Sequence, residues 1–265
     1  IESALAHSFT YYTSVRATDL VDNLSNIVTS DGFTIDTIPP TDIFLAESEV
    51  GDPQYQGSDS SITLFWGAND DLSGIDRYEI ALGTSYGEND LVDWMDLGLT
   101  QDTDTIIDLE DANTYYGSVR VFDLAGNTAL YQGDGVTVDI TPPVAGSVID
   151  GIDVDNEFMS TENIEVSWSG FSDDGSGIVA HEYALGTDQD PISILDYLNA
   201  GSDTSMTLLN DIYYLALEHG EQYFFSVRAI DLVGNLSETV TSNGFTVDEY
   251  VGPPEIIGLS LDTLN

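Results

Sequence analysis

One stretch of sequence occurs three times, and it limits what the chain can become. Tyr11-Tyr-Thr-Ser-Val-Arg-Ala-Thr-Asp-Leu-Val-Asp-Asn23 returns as Tyr115-Tyr-Gly-Ser-Val-Arg-Val-Phe-Asp-Leu-Ala-Gly-Asn127 and as Tyr223-Phe-Phe-Ser-Val-Arg-Ala-Ile-Asp-Leu-Val-Gly-Asn235. Its arginines, Arg16, Arg120 and Arg228, stand 104 and 108 residues apart. Other landmarks keep nearly the same step. Trp66 and Trp168 are 102 apart, Ser73-Gly-Ile75 and Ser176-Gly-Ile178 are 103 apart, and Leu82-Gly-Thr84 recurs at Leu185-Gly-Thr187. A fixed step of this kind marks an array of similar units. The longer later step places a loop insertion around Ile212-Tyr-Tyr214.

Within each repeat the apolar period is that of strands. Ile62, Leu64 and Trp66 alternate with Thr63 and Phe65, and Ile164, Val166 and Trp168 alternate with Glu165 and Ser167. In the repeated motif Tyr223, Phe225, Val227 and Ala229 fall on one face, and Phe224, Ser226, Arg228 and Ile230 on the other. Gly, Asn, Asp and Ser punctuate the runs, as in an all-β sandwich. Leu91-Val-Asp-Trp-Met-Asp96 and Ile192-Ser-Ile-Leu-Asp-Tyr197 read equally as a helical turn or a short edge strand. With 42% hydrophobic and 10% aromatic residues the chain can pack cores despite its acidity. There is no cysteine, hence no disulfide or thiol chemistry, which leans towards a bacterial or archaeal surface protein. No run is long and apolar enough to span a bilayer, so no direct membrane insertion is expected in this segment.

These residues resemble the fibronectin type III family. Trp66 and Trp168 stand where that family carries a tryptophan on its second strand. Leu5/Tyr11, Leu109/Tyr115 and Leu217/Tyr223 repeat the Leu and Tyr of its tyrosine corner. The resemblance implies an all-β chain of tandem seven-stranded, immunoglobulin-like sandwiches arranged as a rod. Residues 1–38 then form the C-terminal part of an incomplete domain. Residues 39–140 and 141–248 form two complete domains, and residues 249–265 a linker and the first strand of a following one. The expected parent is a longer repeat protein, or else the half-domain is completed by another chain. The integrin-binding Arg-Gly-Asp motif is absent, so that activity does not carry over.

The charge sets the next constraint. Forty-eight acidic residues face four basic ones, giving a net charge of −44. Nucleic acids and anionic membrane surfaces are excluded as natural partners, because both are held by Lys and Arg. Such self-repulsion must be screened or neutralised. High salt would do so, as would bound calcium, which prefers carboxylate and carbonyl oxygens.

The resemblance also says where calcium would sit. In this sandwich the loops after the second and sixth strands lie at the end where the chain enters. Asp36, Asp70, Asp71 and Asp123 would then converge at one joint, beside Asp36-Thr-Ile-Pro-Pro40. Asp139, Asp173, Asp174 and Asp231 would converge at the next, beside Asp139-Ile-Thr-Pro-Pro143. The alternative is that these residues only cap turns, as Asp, Ser and Gly commonly do. Arg120 and Arg228 are expected to pair across strands with Glu79 and Glu182, while Arg77, without a counterpart, reads as a surface charge.

No constellation reads as catalytic. His7, His181 and His219 fall in different places, with no nucleophile motif nearby. The chain is therefore expected to be a non-enzymatic segment of an extracellular, cell-surface protein: a stalk, adhesin, filament or surface layer. Its partners would be other copies or neighbouring repeats of the same protein, or surface glycans and proteins. The alternative is an accessory carbohydrate- or protein-binding module of a secreted enzyme, with Trp94, Tyr197, Tyr131, Tyr12, Tyr116 and Phe224 as stacking surfaces. Asn23-Leu-Ser25 and Asn235-Leu-Ser237 match glycosylation sequons, although the turn itself also favours Asn through its tolerance of positive φ.

Overall fold

The structure, a computed structural model, describes residues 4–48 and 51–249. It divides into two compact units, residues 1–140 and 141–265. The expected first strand of a following domain lies outside the described residues.

The first unit opens with four short strands, β1 (Thr10–Tyr11), β2 (Ser14–Val15), β3 (Val28–Thr29) and β4 (Phe33–Thr34), paired β1–β4 and β2–β3 as one hairpin. A complete sandwich follows, made of β5 (Thr41–Ala46), β6 (Tyr55–Gln56), β7 (Ser61–Asn69), β8 (Ile75–Gly83), β9 (Val92–Asp96), β10 (Asp102–Ile106), β11 (Thr114–Asp123), β12 (Thr128–Gln132) and β13 (Val136–Val138). One sheet is ordered β10-β7-β5. The other is ordered β6-β13-β11-β8-β9, with β12 also on β11. The last strand is thus broken into β12 and β13, and β6 joins its second half in parallel. Seven strands remain once β12 and β13 are counted as one last strand and β5 and β6 as one first strand divided between the sheets, in the arrangement expected of a fibronectin type III-like sandwich.

The second unit repeats this plan with β14 (Ser147–Asp150), β15 (Phe158–Met159), β16 (Asn163–Ser169), β17 (Ile178–Gly186), β18 (Leu195–Gly201), β19 (Ser205–Leu209), β20 (Gln222–Asp231), β21 (Val240–Thr241) and β22 (Phe245–Val247). The sheets are ordered β14-β16-β19 and β15-β22-β20-β17-β18, with β21 on β20. The ambiguous segments resolve as edge strands β9 and β18. The insertion before Tyr223 forms a single turn, α1 (Asn210–Tyr213), closed by Tyr214 in the left-handed region at φ 51°.

The alternation read from sequence is the packing pattern. Ile62, Leu64 and Trp66, and likewise Ile164, Val166 and Trp168, are buried between the sheets. The two cores fill one position differently. Gly117 faces Leu45 and Leu64, whose Cδ2 atoms lie 2.8 and 3.2 Å from where a Cβ would stand. The equivalent of Gly117 is Phe225, and there the facing residues are the smaller Val148 and Val166. The large side chain changes sheet, and the two methylenes missing from the facing valines make part of the room for it.

Each copy of the motif begins with a tyrosine corner. The hydroxyls of Tyr11, Tyr115 and Tyr223 accept the backbone N–H of Ala6, Glu110 and Glu218 at 2.9, 2.7 and 2.9 Å. Tyr223 is buried, so losing its hydroxyl leaves the Glu218 N–H without this acceptor. Tyr223→Phe is expected to destabilise the second unit by about 1 kcal/mol, measured by chemical denaturation; no change would deny the corner an energetic role.

Candidate metal centres

The sixth strand of the first sandwich, β11, ends at Asp123, which is buried. Its Oδ1 accepts the Asn127 N–H and its Oδ2 the Asn127 side-chain amide, both at 2.7 Å. The same amide reaches the backbone carbonyls of Asp36 and Ile38 at 3.3 and 3.4 Å. The closing Asn of the motif therefore ties the turn to the incoming linker. Its backbone is not in the positive-φ region. Gly126 and Gly234 take that conformation at φ 90° and 96°, and Asp22 does so in the first copy at φ 65°. The sequence-based account of Asn as a positive-φ residue is thus corrected.

The loop after β7 supplies the second carboxylate. Asp70 Oδ1 accepts the N–H groups of Leu72 and Gly74 at 3.3 and 2.6 Å, and the Ser73 hydroxyl at 3.3 Å. The linker supplies the third. Asp36 Oδ2 accepts the Ser73 N–H at 3.1 Å and its Oδ1 the Ile38 N–H at 3.1 Å. Hydrogen bonding from Ser73, and then from Ile38, holds the Asp36 carboxyl below the usual carboxylate range. One oxygen from each of Asp36, Asp70 and Asp123 lies within 4.8 Å of the others. Two oxygens on one calcium ion stand at most about 5 Å apart, given Ca–O distances of roughly 2.3–2.6 Å. The trio fits that limit. Asp71, the neighbour of Asp70, is exposed and stands outside the trio, because only one of two consecutive turn residues faces the joint.

The second unit repeats the loop geometry. Asp173 Oδ2 accepts the Gly177 N–H at 2.6 Å. Asp231 is buried, with Oδ1 accepting the N–H groups of Val233, Gly234 and Asn235 and Oδ2 the Asn235 amide. Asp174 is exposed, like Asp71. Asp139 belongs to the first unit, where it is buried after β13 and its N–H bonds the Gln56 carbonyl at 2.9 Å. The turn-capping role read from sequence is present at Asp70, Asp123, Asp173 and Asp231, alongside the carboxylate cluster of the first unit.

Two residues at the joints were misplaced by sequence. His7 and His219 are equivalent, each two residues after the corner Leu. His7 Nδ1 accepts the Thr37 N–H and His219 Nδ1 the Glu249 N–H, both at 3.2 Å. Asp111 holds the same position in the middle repeat, where its Oδ1 accepts the Ile140 N–H at 2.9 Å. The exchange of His for Asp hid the equivalence, since either side chain can accept a linker N–H. His181 is unrelated; it is buried beside Trp168 and Phe171.

The arginine pairs form as expected. Arg120 meets Glu79 at 3.1 Å and Arg228 meets Glu182 at 2.6 Å, with each pair in direct cross-strand register. What sequence missed is the third partner. The Arg120 guanidinium lies 4.0 Å over the Trp94 ring, and that of Arg228 lies 4.0 Å over Tyr197. Each ring thus has one face against a cation instead of open to a ligand. Arg77 is no plain surface charge either. It contacts Asp76, Glu79 and Asp96 and lies 3.5 Å over Phe122. Its register partner is Phe122, and the matching pair in the second unit is Ala180 and Ile230, so cation and ring are exchanged together.

Comparison with known proteins gives one curated relative of note. Chitinase A1 of Niallia circulans is 26% identical over 228 residues, covering 84% of this chain and 29% of that protein. The chain therefore spans less than a third of that relative's length. No family model matches the chain. Domains A168–A170 of titin are 18% identical, with a TM-score of 0.48, over 91% of this chain and 75% of that one. The fibronectin(III)-like modules of Clostridium thermocellum CbhA are 12% identical, with a TM-score of 0.45, over 80% of this chain and all of that one. With the strand order, the two sheets per sandwich and the three tyrosine corners, the chain is a tandem array of fibronectin type III-like β-sandwich modules.

Proposed function

We propose that the chain is a non-catalytic, extracellular run of accessory modules belonging to a polysaccharide-degrading enzyme, acting as a spacer whose joints are stiffened by calcium. The match to Chitinase A1 carries this reading. It takes in 84% of this chain but 29% of that protein, so the likeness is to part of that enzyme rather than to the enzyme throughout. The spacer role, as against sugar binding, is supported by the rings of Trp94 and Tyr197, each covered on one face by an arginine. Calcium at the joint is supported by the Asp36, Asp70 and Asp123 oxygens, which join the linker to two loops of the sandwich. Asp139, Asp173 and Asp231 hold the equivalent positions in the sequence repeat. A second reading, the stalk of a cell-surface protein, adhesin, filament or surface layer, draws on the same joints and on the net charge of −44.

Purified chain incubated with colloidal chitin is expected to release no reducing sugar and to wash off freely. Release of sugar would overturn the non-catalytic reading, and retention would favour a binding module. Calcium is expected to raise the first unit's stability over that in chelator by about 2–3 kcal/mol at a hundredfold excess over its Kd. Asp36→Asn is expected to remove the joint's share of that gain. Molar sodium chloride matching the calcium effect in full would place the acidity with salt adaptation instead.

A further inference from the structure

The first sandwich holds another acidic group, remote in sequence from the joint. Glu47 follows β5, Asp52 follows it by five residues, and Asp134 lies in the break between β12 and β13. One carboxylate oxygen of each lies within 4.8 Å of the other two. Asp52 and Asp134 are exposed, but Glu47 is only 5% exposed, and among the described residues neither of its carboxylate oxygens has a hydrogen-bond partner. A buried carboxylate without donors is costly unless something neutralises it. Burial, aided by Asp52 and Asp134, pushes the Glu47 carboxyl up to about 8.

The second unit contains a natural control. Leu45 pairs with Trp66 as Val148 pairs with Trp168, so Glu47 corresponds to Asp150 and Asp52 to Asp155. The residue corresponding to Asp134 is Asn243, just before the glycine of the strand break. Here backbone and amide donors reach two of the three residues, although Asp150 Oδ1 has no hydrogen-bond partner among the described residues. Asp150 Oδ2 accepts the Gly244 N–H at 2.8 Å, Asp155 Oδ1 accepts the Asp150 N–H at 3.1 Å, and the Asn243 amide donates to Asp155 Oδ2 at 3.0 Å. At the three equivalent positions the second unit has two acids and an amide donor, and the first has three acids.

We propose that Glu47, Asp52 and Asp134 form a calcium-binding site in the first sandwich, in which the cation takes the place of the Asn243 amide. The oxygens lie within the roughly 5 Å span that two ligands of one calcium ion can occupy. Three carboxylates supply the hard anionic oxygens calcium prefers, and the exposure of Asp52 and Asp134 leaves room for water to complete six to eight ligands. Bound there, the ion pins the segment after β5 to the broken last strand, independently of the linker.

The test is calcium titration of the whole chain by isothermal calorimetry, paired with melting in calcium and in chelator. Glu47→Gln is expected to bind about one calcium fewer per chain while keeping the ion that depends on Asp36. It is also expected to melt higher than wild type in chelator and to gain less from calcium. Asp134→Asn alters an exposed residue, so folding is not at stake, and it is expected to remove the same ion. Asn243→Asp is expected to add one in the second unit. Unchanged stoichiometry in Glu47→Gln and Asp134→Asn would overturn the site. So would a rise in the melting temperature of Glu47→Gln that is equal with and without calcium, which would point to a proton shared between Glu47 and Asp52. Unchanged stoichiometry in Asp36→Asn, with one ion still lost in Glu47→Gln and Asp134→Asn, would refute the joint and leave this site standing.

Discussion

Phe225→Ala is expected to destabilise the second unit by about 3–5 kcal/mol, the range for truncating a buried phenylalanine. Phe225 is fully buried, with its ring 5.9 Å from that of Phe245, and it fills the space that Leu45 and Leu64 fill in the first sandwich. Val148 and Val166 are too short to close the cavity left behind. The opening hairpin gives the contrast. Phe33, equivalent to Phe245, is 50% exposed, and Val15, equivalent to Val227, is 65% exposed. Phe33→Ala is therefore expected to cost well under 1 kcal/mol, as surface substitutions usually do. Chemical denaturation of the two variants measures the difference. Equal losses would mean that the hairpin face is covered in solution.

Asp150→Asn is expected to stabilise the second unit at neutral pH and to lose its advantage in acid. Asp150 is fully buried, and burial raises its carboxyl from 3.8 to about 6, with the charge of Asp155 adding to the rise. A folded-state value above the unfolded one gives stability that is complete below about pH 4 and lost as pH rises through about 6. Asparagine carries no charge to desolvate and still offers an oxygen to the Gly244 N–H. The difference between variant and wild type should therefore grow by about 3 kcal/mol between pH 4 and pH 7, following the shift of roughly two units. Comparing the two proteins cancels the general repulsion among the other carboxylates. A difference that does not vary with pH would show that Asp150 is stabilised in its charged form.

Much of this was legible in the sequence because periodicity encodes it. Strand positions, inward faces and the pairing of Arg120 with Glu79 and Arg228 with Glu182 follow from a two-residue alternation repeated at a fixed step, and the tyrosine corners from the resemblance to the fibronectin type III family. The joint carboxylates Asp36, Asp70 and Asp123 were accessible through the same logic, since the topology of the resembled fold brings the two loops and the linker to one end. Asp71 and Asp174 were over-included, because sequence does not say which of two adjacent turn residues faces the joint.

The equivalence of His7, Asp111 and His219 was hidden for a different reason. A backbone N–H can be accepted by imidazole or by carboxylate, so identity is not kept while geometry is. The covering of Trp94 and Tyr197 by arginine depends on how an edge strand drapes over its neighbour. The Glu47 group joins residues 47, 52 and 134, and none of the repeated motifs contains any of them.

The sequence by itself determined the repeat, the strands, the cores and the chemistry available: abundant carboxylates, scarce cations and no thiol. Alternation and repetition are local properties, and they survive being read one residue at a time. Only the tertiary structure decided which carboxylates meet, which are already satisfied by loop N–H groups, and which is buried without a donor. Those outcomes depend on desolvation and on distances across the sandwich, quantities that exist only once the two sheets have closed on each other.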